Sequence, residues 1–268
     1  MKKVALIFGT RPEAVKMAPV YLALKNSSLR PVVIATAQHR EMLDQVLSLF
    51  GIKPDFDLNI MQQRQSLSGL TSRLIEKLDE IYSQNKFDAT LVQGDTTSTF
   101  AGALVSFYHK IPVGHVEAGL RTANVYDPFP EEVNRRLNGV ISTYHYPPTE
   151  KSKLNLLKEG VPEENMLVTG NTVIDALLWV TSNKSRLTSS FREALGVEGD
   201  DYILVTMHRR ENWGRPMQEV MKAIKDVLNE FPRMKVVFPV HLNPAVREVY
   251  SLEFFEHQRE HFSDGRIE

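Results

Sequence analysis

Asp88-Ala89-Thr90-Leu91-Val92-Gln93-Gly94-Asp95-Thr96-Thr97-Ser98-Thr99 is the stretch on which the reading of this 268-residue chain turns. It opens as an apolar run of strand length, the pattern of a buried strand. A glycine, an acid and small hydroxyl residues then close it, and a helix is expected from Thr99 to Tyr108. An echo follows, in which a shorter strand candidate, Ile111-Pro112-Val113, leads to His115-Val116-Glu117-Ala118-Gly119. Both segments put a carboxylate just past the carboxyl end of a strand, the edge where open parallel sheets hold ligands. Two carboxylates delivered there from neighbouring strands suggest proton chemistry.

Outward from this pair the chain keeps alternating. Val4-Ala5-Leu6-Ile7-Phe8 is a second run that reads as buried on both faces, and Gly9-Thr10-Arg11-Pro12-Glu13 turns from it into a helix. Thr10 suits the cap, proline the first turn, and Glu13 the positive end of the helix dipole. Val32 to Ala35 is a further strand, with Met42, Val46, Leu47 and Phe50 marking the helix after it. Leu67 to Tyr82 carries Leu70, Leu74, Leu78 and Ile81 on one stripe,. Beyond the loop Leu120 to Pro130, Thr143 to Tyr146 is a short strand, Thr149 starts a helix through Leu157, and Met166 to Gly170 is expected to be another strand. Such alternation implies βαβ units, right-handed crossovers and a parallel sheet. The fold expected is α/β, with residues 1–170 as one doubly wound domain.

Val173 to Val180 reads as a connecting helix, and Thr181 to Glu198 is the most linker-like segment. A second α/β unit opens with Tyr202 to Met207, continues through a helix from Met217 to Phe231, and returns to a strand at Val236 to Val240. A doubly wound sheet needs about five strands. Residues 171–268 offer two, so this second domain is expected to be incomplete.

Composition narrows the function classes. A net charge of -1 gives no broad attraction to nucleic acid or to an anionic membrane,. The absence of cysteine excludes disulfides, thiolate metal sites and a cysteine nucleophile, and suits a cytoplasmic location,. Met1-Lys2-Lys3-Val4 runs straight into a strand pattern without a cleavage site, and no apolar run approaches the roughly 20 residues of a spanning helix,. The sequons at Asn26 and Asn183 therefore carry no weight.

Each chemistry-bearing residue has a functional reading and a plainer one. Arg11 and Lys16 bracket a helix start whose free N–H groups favour an anion such as phosphate, or they belong to an exposed charged turn. Asp95 and Glu117 are either acid/base groups or helix caps. Glu131 and Glu132 complement a helix dipole, and Arg135 has the spacing to pair with Glu131,. His208 and His241 follow strand ends, where a histidine can donate a proton near neutral pH or simply sit at the surface. His257-Gln258-Arg259-Glu260-His261 matches a zinc-protease pattern but lies in an irregular tail with no third ligand, a chance match,. Neither a GxGxxG fingerprint nor a GxxxxGK[ST] loop occurs, so nicotinamide and ATP sites have no direct support,.

Taken in order, Phe8-Gly9-Thr10-Arg11-Pro12-Glu13-Ala14, Gln38-His39-Arg40, Gln93-Gly94-Asp95-Thr96, His115-Val116-Glu117-Ala118-Gly119-Leu120-Arg121, Pro128-Phe129-Pro130-Glu131-Glu132, Thr169-Gly170-Asn171-Thr172, His208-Arg209-Arg210-Glu211-Asn212 and His241-Leu242-Asn243-Pro244 form a specific set. The set resembles the non-hydrolysing UDP-N-acetylglucosamine 2-epimerases, from residue 3 to about residue 248. That resemblance implies two Rossmann-like domains of the glycosyltransferase-B type with a site in the cleft between them. It implies interconversion of UDP-N-acetylglucosamine and UDP-N-acetylmannosamine through 2-acetamidoglucal, without metal or nicotinamide cofactor. It also implies a homodimer that serves cell-surface polysaccharide synthesis.

By position, the resemblance makes Asp95, Glu117 and Glu131 the acid/base carboxylates and His208 the residue assisting the departing UDP. Arg11, Lys16 and Arg135 become cationic substrate-binding residues. Gln38, Arg64, Arg209 and His241 match a regulatory UDP-N-acetylglucosamine site of some bacterial members, whereas Glu41 stands where those members carry a second glutamine. From about Ser251 the likeness stops, before the uridine diphosphate-holding segment of the family, and little or no activity of this polypeptide alone is expected. Two other readings stay open: a sugar-nucleotide glycosyltransferase of the same fold, and a binding-only or inactive fragment. Solvent deuterium at C2 of the recovered UDP-sugar separates epimerase from transferase.

Overall fold

The structure is a computed structural model that describes residues 1–36, 40–60, 65–183, 192–193, 195–207 and 214–239. The chain divides into two compact units, Met1–Arg186 and Leu187–Glu268.

In the first unit the elements are β1 (Lys3–Phe8), α1 (Arg11–Lys25), β2 (Arg30–Ala35), α2 (Arg40–Phe50), β3 (Phe56–Asp57), α3 (Leu67–Gln84), β4 (Ala89–Gln93), α4 (Thr97–Tyr108), β5 (Val113–Val116), α5 (Glu131–Ile141), β6 (Tyr144–Tyr146), α6 (Glu150–Lys158) and α7 (Thr172–Ser182). The six strands pair in the order β3-β2-β1-β4-β5-β6, every pairing parallel. The unbroken apolar run of β1 follows from this placement. Leu6 and Phe8 pack on one face with Met17 of α1 and Leu43 of α2. Ala5 and Ile7 pack on the other with Leu74 and Leu78 of α3. Successive side chains point to opposite faces, so a central strand covered on both sides has no polar position to spare.

The chain order reverses direction between β1 and β4, and the crevice past the carboxyl ends of those strands is where such sheets bind ligands,. The expected connecting helix is α7, which packs on α1, with Ala176 buried and the Trp179 ring 4.6 Å from that of Phe50. It therefore belongs to the first unit.

Several boundaries differ from the sequence reading. The strand placed at Ile111–Val113 is β5, Val113–Val116. Ile111 N–H closes the end of α4 on Ser106 O at 2.9 Å and Pro112 has no N–H, so the register with β4 starts two residues later, at Val113 opposite Thr90,. The strand expected at Met166–Gly170 is reduced to a single bridge between Met166 and His145. Leu167 and Thr169 donate to His145 O and Pro147 O, but Pro147 has no N–H to return a bond, and the ladder stops,. Helix α4 begins at Thr97, not Thr99, because Thr96 caps it on Thr99 N,. β3 has no counterpart in the sequence reading; its two residues are too few for a periodic signal.

The described residues of the second unit carry β7 (Tyr202–Leu204), α8 (Arg215–Glu230) and β8 (Lys235–Val237), with β7 and β8 parallel. Both strands are shorter than the runs Tyr202–Met207 and Val236–Val240 suggest, and Met217 and Met221 supply the buried face of α8.

Candidate active site

The turn from β1 into α1 is pinned by one buried acid. Glu13 is only 2% exposed, and its Oε2 accepts from Gly9 N (3.0 Å), Thr10 N (2.8 Å) and Thr10 Oγ1 (2.7 Å). With Thr10 accepting from Glu13 N, this is a complete capping box,. The other oxygen reaches across the sheet, accepting from Thr96 Oγ1 (2.6 Å) and Thr99 Oγ1 (3.0 Å). One carboxylate thus laces the β1–α1 turn to the β4–α4 turn. A side chain at Gly9 is impossible without a shift, because its Cβ would lie 1.8 Å from Thr36 Oγ1.

Glu117 stands beyond the end of β5 with φ +64°, a left-handed backbone that costs a non-glycine residue on the order of 1 kcal/mol or more,. Its Oε2 receives Lys16 Nζ at 2.5 Å and Gln93 Nε2, and its Oε1 receives Asn171 Nδ2 at 3.3 Å. Asp95, beyond β4, is ion-paired with Arg135 of α5, while Asn134 Nδ2 donates to the Asp95 carbonyl at 2.9 Å. The helix that follows the long loop is thereby tied to the β4 end at two points.

The sequence spacing pairs Arg135 with Glu131, but the structure does not. Arg135 reaches Asp95 and, at 3.4 Å, Glu132, because the phase of α5 turns Glu132 inward to complete burial and leaves Glu131 partly exposed. Burial alone would raise the Glu132 carboxyl. Hydrogen bonds from Arg136 and Thr122, helped by the Arg135 charge, outweigh it and hold the group below its ordinary range,.

Behind the site lies His115, 1% exposed, with Nε2–H donating to Gly94 O at 2.7 Å. That bond sets the tautomer, since a carbonyl can only accept. Burial pushes the imidazole down to about 4, against a smaller opposing effect of the Gly94 bond. Its register partner His145 is buried and lowered for the same reason.

Lys16, Asp95, Glu117 and Arg135 line one cavity of about 360 Å³. The structure therefore assembles two of the three carboxylates and two of the three substrate-binding cations that the sequence singled out. Arg11 is exposed at the start of α1 and Glu131 is partly exposed at the start of α5; neither forms a wall of this cavity. Gln38, Arg64, His208, Arg209 and His241 lie outside the described residues, as does the 257–261 histidine pattern. No cluster of three or more potential metal ligands occurs among the described residues. Gln93 and Asn171 gained no individual role from the sequence, and Glu13 only that of complementing the α1 dipole,. Only Glu13 had a legible signal, the Thr-x-x-Glu spacing of a capping box. Chemically, two carboxylates each held by a cation at one cavity suit proton transfer to and from an anionic ligand.

Comparison with known proteins shows the family. The family profile described as UDP-N-acetylglucosamine 2-epimerase matches residues 22–264. A UDP-N-acetylglucosamine 2-epimerase of Bacillus subtilis is 52% identical over 261 residues, covering 97% of this chain and 67% of that protein. The Escherichia coli K12 protein of the same name is 52% identical over 252 residues, covering 92% and 67%. Among solved structures, the Neisseria meningitidis UDP-GlcNAc 2-epimerase bound to UDP-GlcNAc superposes with a TM-score of 0.81 at 49% identity, covering 94% of this chain and 69% of that one. The Methanocaldococcus jannaschii enzyme in complex with UDP-GlcNAc and UDP gives 0.73 at 31% identity, covering 93% and 68%. The chain spans about two thirds of the length of the curated relatives it matches.

Proposed function

Because this chain belongs to the UDP-N-acetylglucosamine 2-epimerase family, we propose that it interconverts UDP-N-acetylglucosamine and UDP-N-acetylmannosamine. The observation that carries the reading is the convergence of Asp95 and Glu117, from adjacent strand ends, on one cavity with a cation against each. Relatives bound to UDP-GlcNAc or to UDP-GlcNAc and UDP support the substrate class.

In the proposed reaction a carboxylate takes the C2 proton as the C1–O bond to UDP breaks. The C2–H electron pair becomes the C1=C2 bond of 2-acetamidoglucal, and the C1–O pair leaves with UDP. Return of a proton to the opposite face of C2 and re-addition of UDP at C1 complete the inversion. Lys16 and Arg135 hold the carboxylates in place and add positive charge beside the anionic ligand. Roles for Glu131, Arg11 and His208 in this chemistry, a regulatory UDP-N-acetylglucosamine at Gln38, Arg64, Arg209 and His241, and a cytoplasmic location belong to the same proposal. No helix of the described residues is long and apolar enough to cross a membrane.

The chain incubated with UDP-N-acetylglucosamine in deuterium oxide should yield UDP-N-acetylmannosamine with deuterium at C2, at a rate far below that of a full-length relative, as the sequence leads one to expect. Glu117→Gln should slow it by a further factor of about 10². Protium retained at C2 overturns the reading. If UDP nevertheless raises the melting midpoint, the chain is a binding module.

A homodimer is the assembly we propose. Val133, Leu137 and Val140 form an exposed apolar stripe along α5, Val140 being 86% exposed, and Phe107 and Tyr108 are exposed at the end of α4, the helix on which α5 packs. Sedimentation should show a dimer that Val140→Glu converts to monomer; a monomeric parent protein would dismiss the idea.

A further inference from the structure

Glu117 is held from three separate elements. Lys16 comes from α1 and Gln93 from β4, both on Oε2; Asn171, at the head of α7, is the hydrogen-bond donor to Oε1. The last of these is unlike the others. Lys16 brings charge and Gln93 is a neighbour on the next strand, but Asn171 lies 54 residues away and is already the N-cap of α7.

Its amide is divided between two tasks. Oδ1 accepts from Val173 N at 3.1 Å, capping the helix, and this leaves Nδ2 as the end that faces the carboxylate. The opposite amide orientation would set an oxygen against a carboxylate oxygen and an NH2 against a backbone N–H, so the orientation is determined by its partners. Helix α7 packs on α1, the helix that carries Lys16. The two donors on opposite oxygens of Glu117 are therefore parts of one packed pair of helices. The carboxylate they grip sits on a left-handed residue, which needs such over-determination to stay where it is,.

From this geometry we infer that Asn171 is a positioning residue for the proton-transfer carboxylate Glu117, through its Nδ2–Oε1 hydrogen bond. The inference rests on the epimerase reading for its catalytic consequence, but not for its structural one.

Two substitutions separate positioning from capping. Aspartate and serine both cap helices about as well as asparagine does, so neither should lower the melting midpoint by loss of the cap, and Asn171→Ser should leave it close to the parent value. Asn171→Asp replaces the donor with an acceptor facing another carboxylate, and Asn171→Ser removes the reach. Crystal structures of both variants should show Glu117 in a changed rotamer. In the C2-exchange assay both should lower kcat by about 10- to 100-fold, as expected for a displaced catalytic group, with KM within about twofold. An unchanged Glu117 rotamer overturns the inference, and so does a changed rotamer with unaltered kcat. If the parent chain exchanges nothing at C2, the epimerase reading falls while the rotamers still decide whether Asn171 positions Glu117.

Discussion

Two glycines that follow strand ends, Gly94 and Gly119, look alike in the sequence and differ in the fold. Both have a left-handed backbone, φ +74° and +83°. A Cβ on Gly94 would meet nothing within 4 Å, whereas on Gly119 it would lie 2.2 Å from the carbonyl oxygen of Ser152, a backbone atom that cannot rotate aside. Gly119→Ala should therefore lower stability by on the order of 3 kcal/mol, strain and overpacking together. Gly94→Ala should cost about 1 kcal/mol, from the backbone alone. Urea unfolding midpoints check the pair, and equal midpoints would show that the Ser152 contact relaxes without penalty. The same separation applies to Glu131 and Glu132. The sequence offers two acids at a helix start, and helix phase turns one of them to full burial between Arg135 and Arg136.

Element starts were legible where the signal is local. Thr10 and Thr149 cap the helices the sequence placed after them by accepting from an N–H three residues on, a geometry that depends on nearby residues alone,. Thr96 caps α4 in the same way, but that helix starts at Thr97, two residues before the Thr99 expected,. Strand limits were less legible because a strand exists only where a neighbour supplies partners. Ile111 has strand chemistry, but its N–H is spent on α4. Leu167 and Val168 have it too, but Pro147 has no N–H to give the ladder,. The reach of Glu13 from its own capping box to Thr96 and Thr99 was hidden for a related reason. That reach spans 83 and 86 residues, and the parallel pairing of β1 with β4 is what brings the two turns together.

Acid sensitivity belongs to the whole molecule, because it compares the folded chain with the unfolded one. His115 is held in the folded state at about 4, below its ordinary 6.5, so the unfolded chain binds that proton more readily,. Its contribution to stability is complete above pH 6.5 and is lost as the pH falls toward 4, by roughly 3 kcal/mol in all,. His145 is shifted in the same direction. The melting midpoint should drop between pH 7 and 4.5, and His115→Gln should flatten that slope; equal slopes would remove His115 as the source. The histidine itself is visible in the sequence, but its burial is not. Apolar runs, caps and turn glycines act through neighbours in the chain, and they were enough to read an α/β fold and to set the carboxylates Asp95 and Glu117 just past strands. The partners of those carboxylates lie between 24 and 101 residues away in the chain. Which donor meets which oxygen depends on strand order, helix phase and packing, and these exist only once the sheet has assembled.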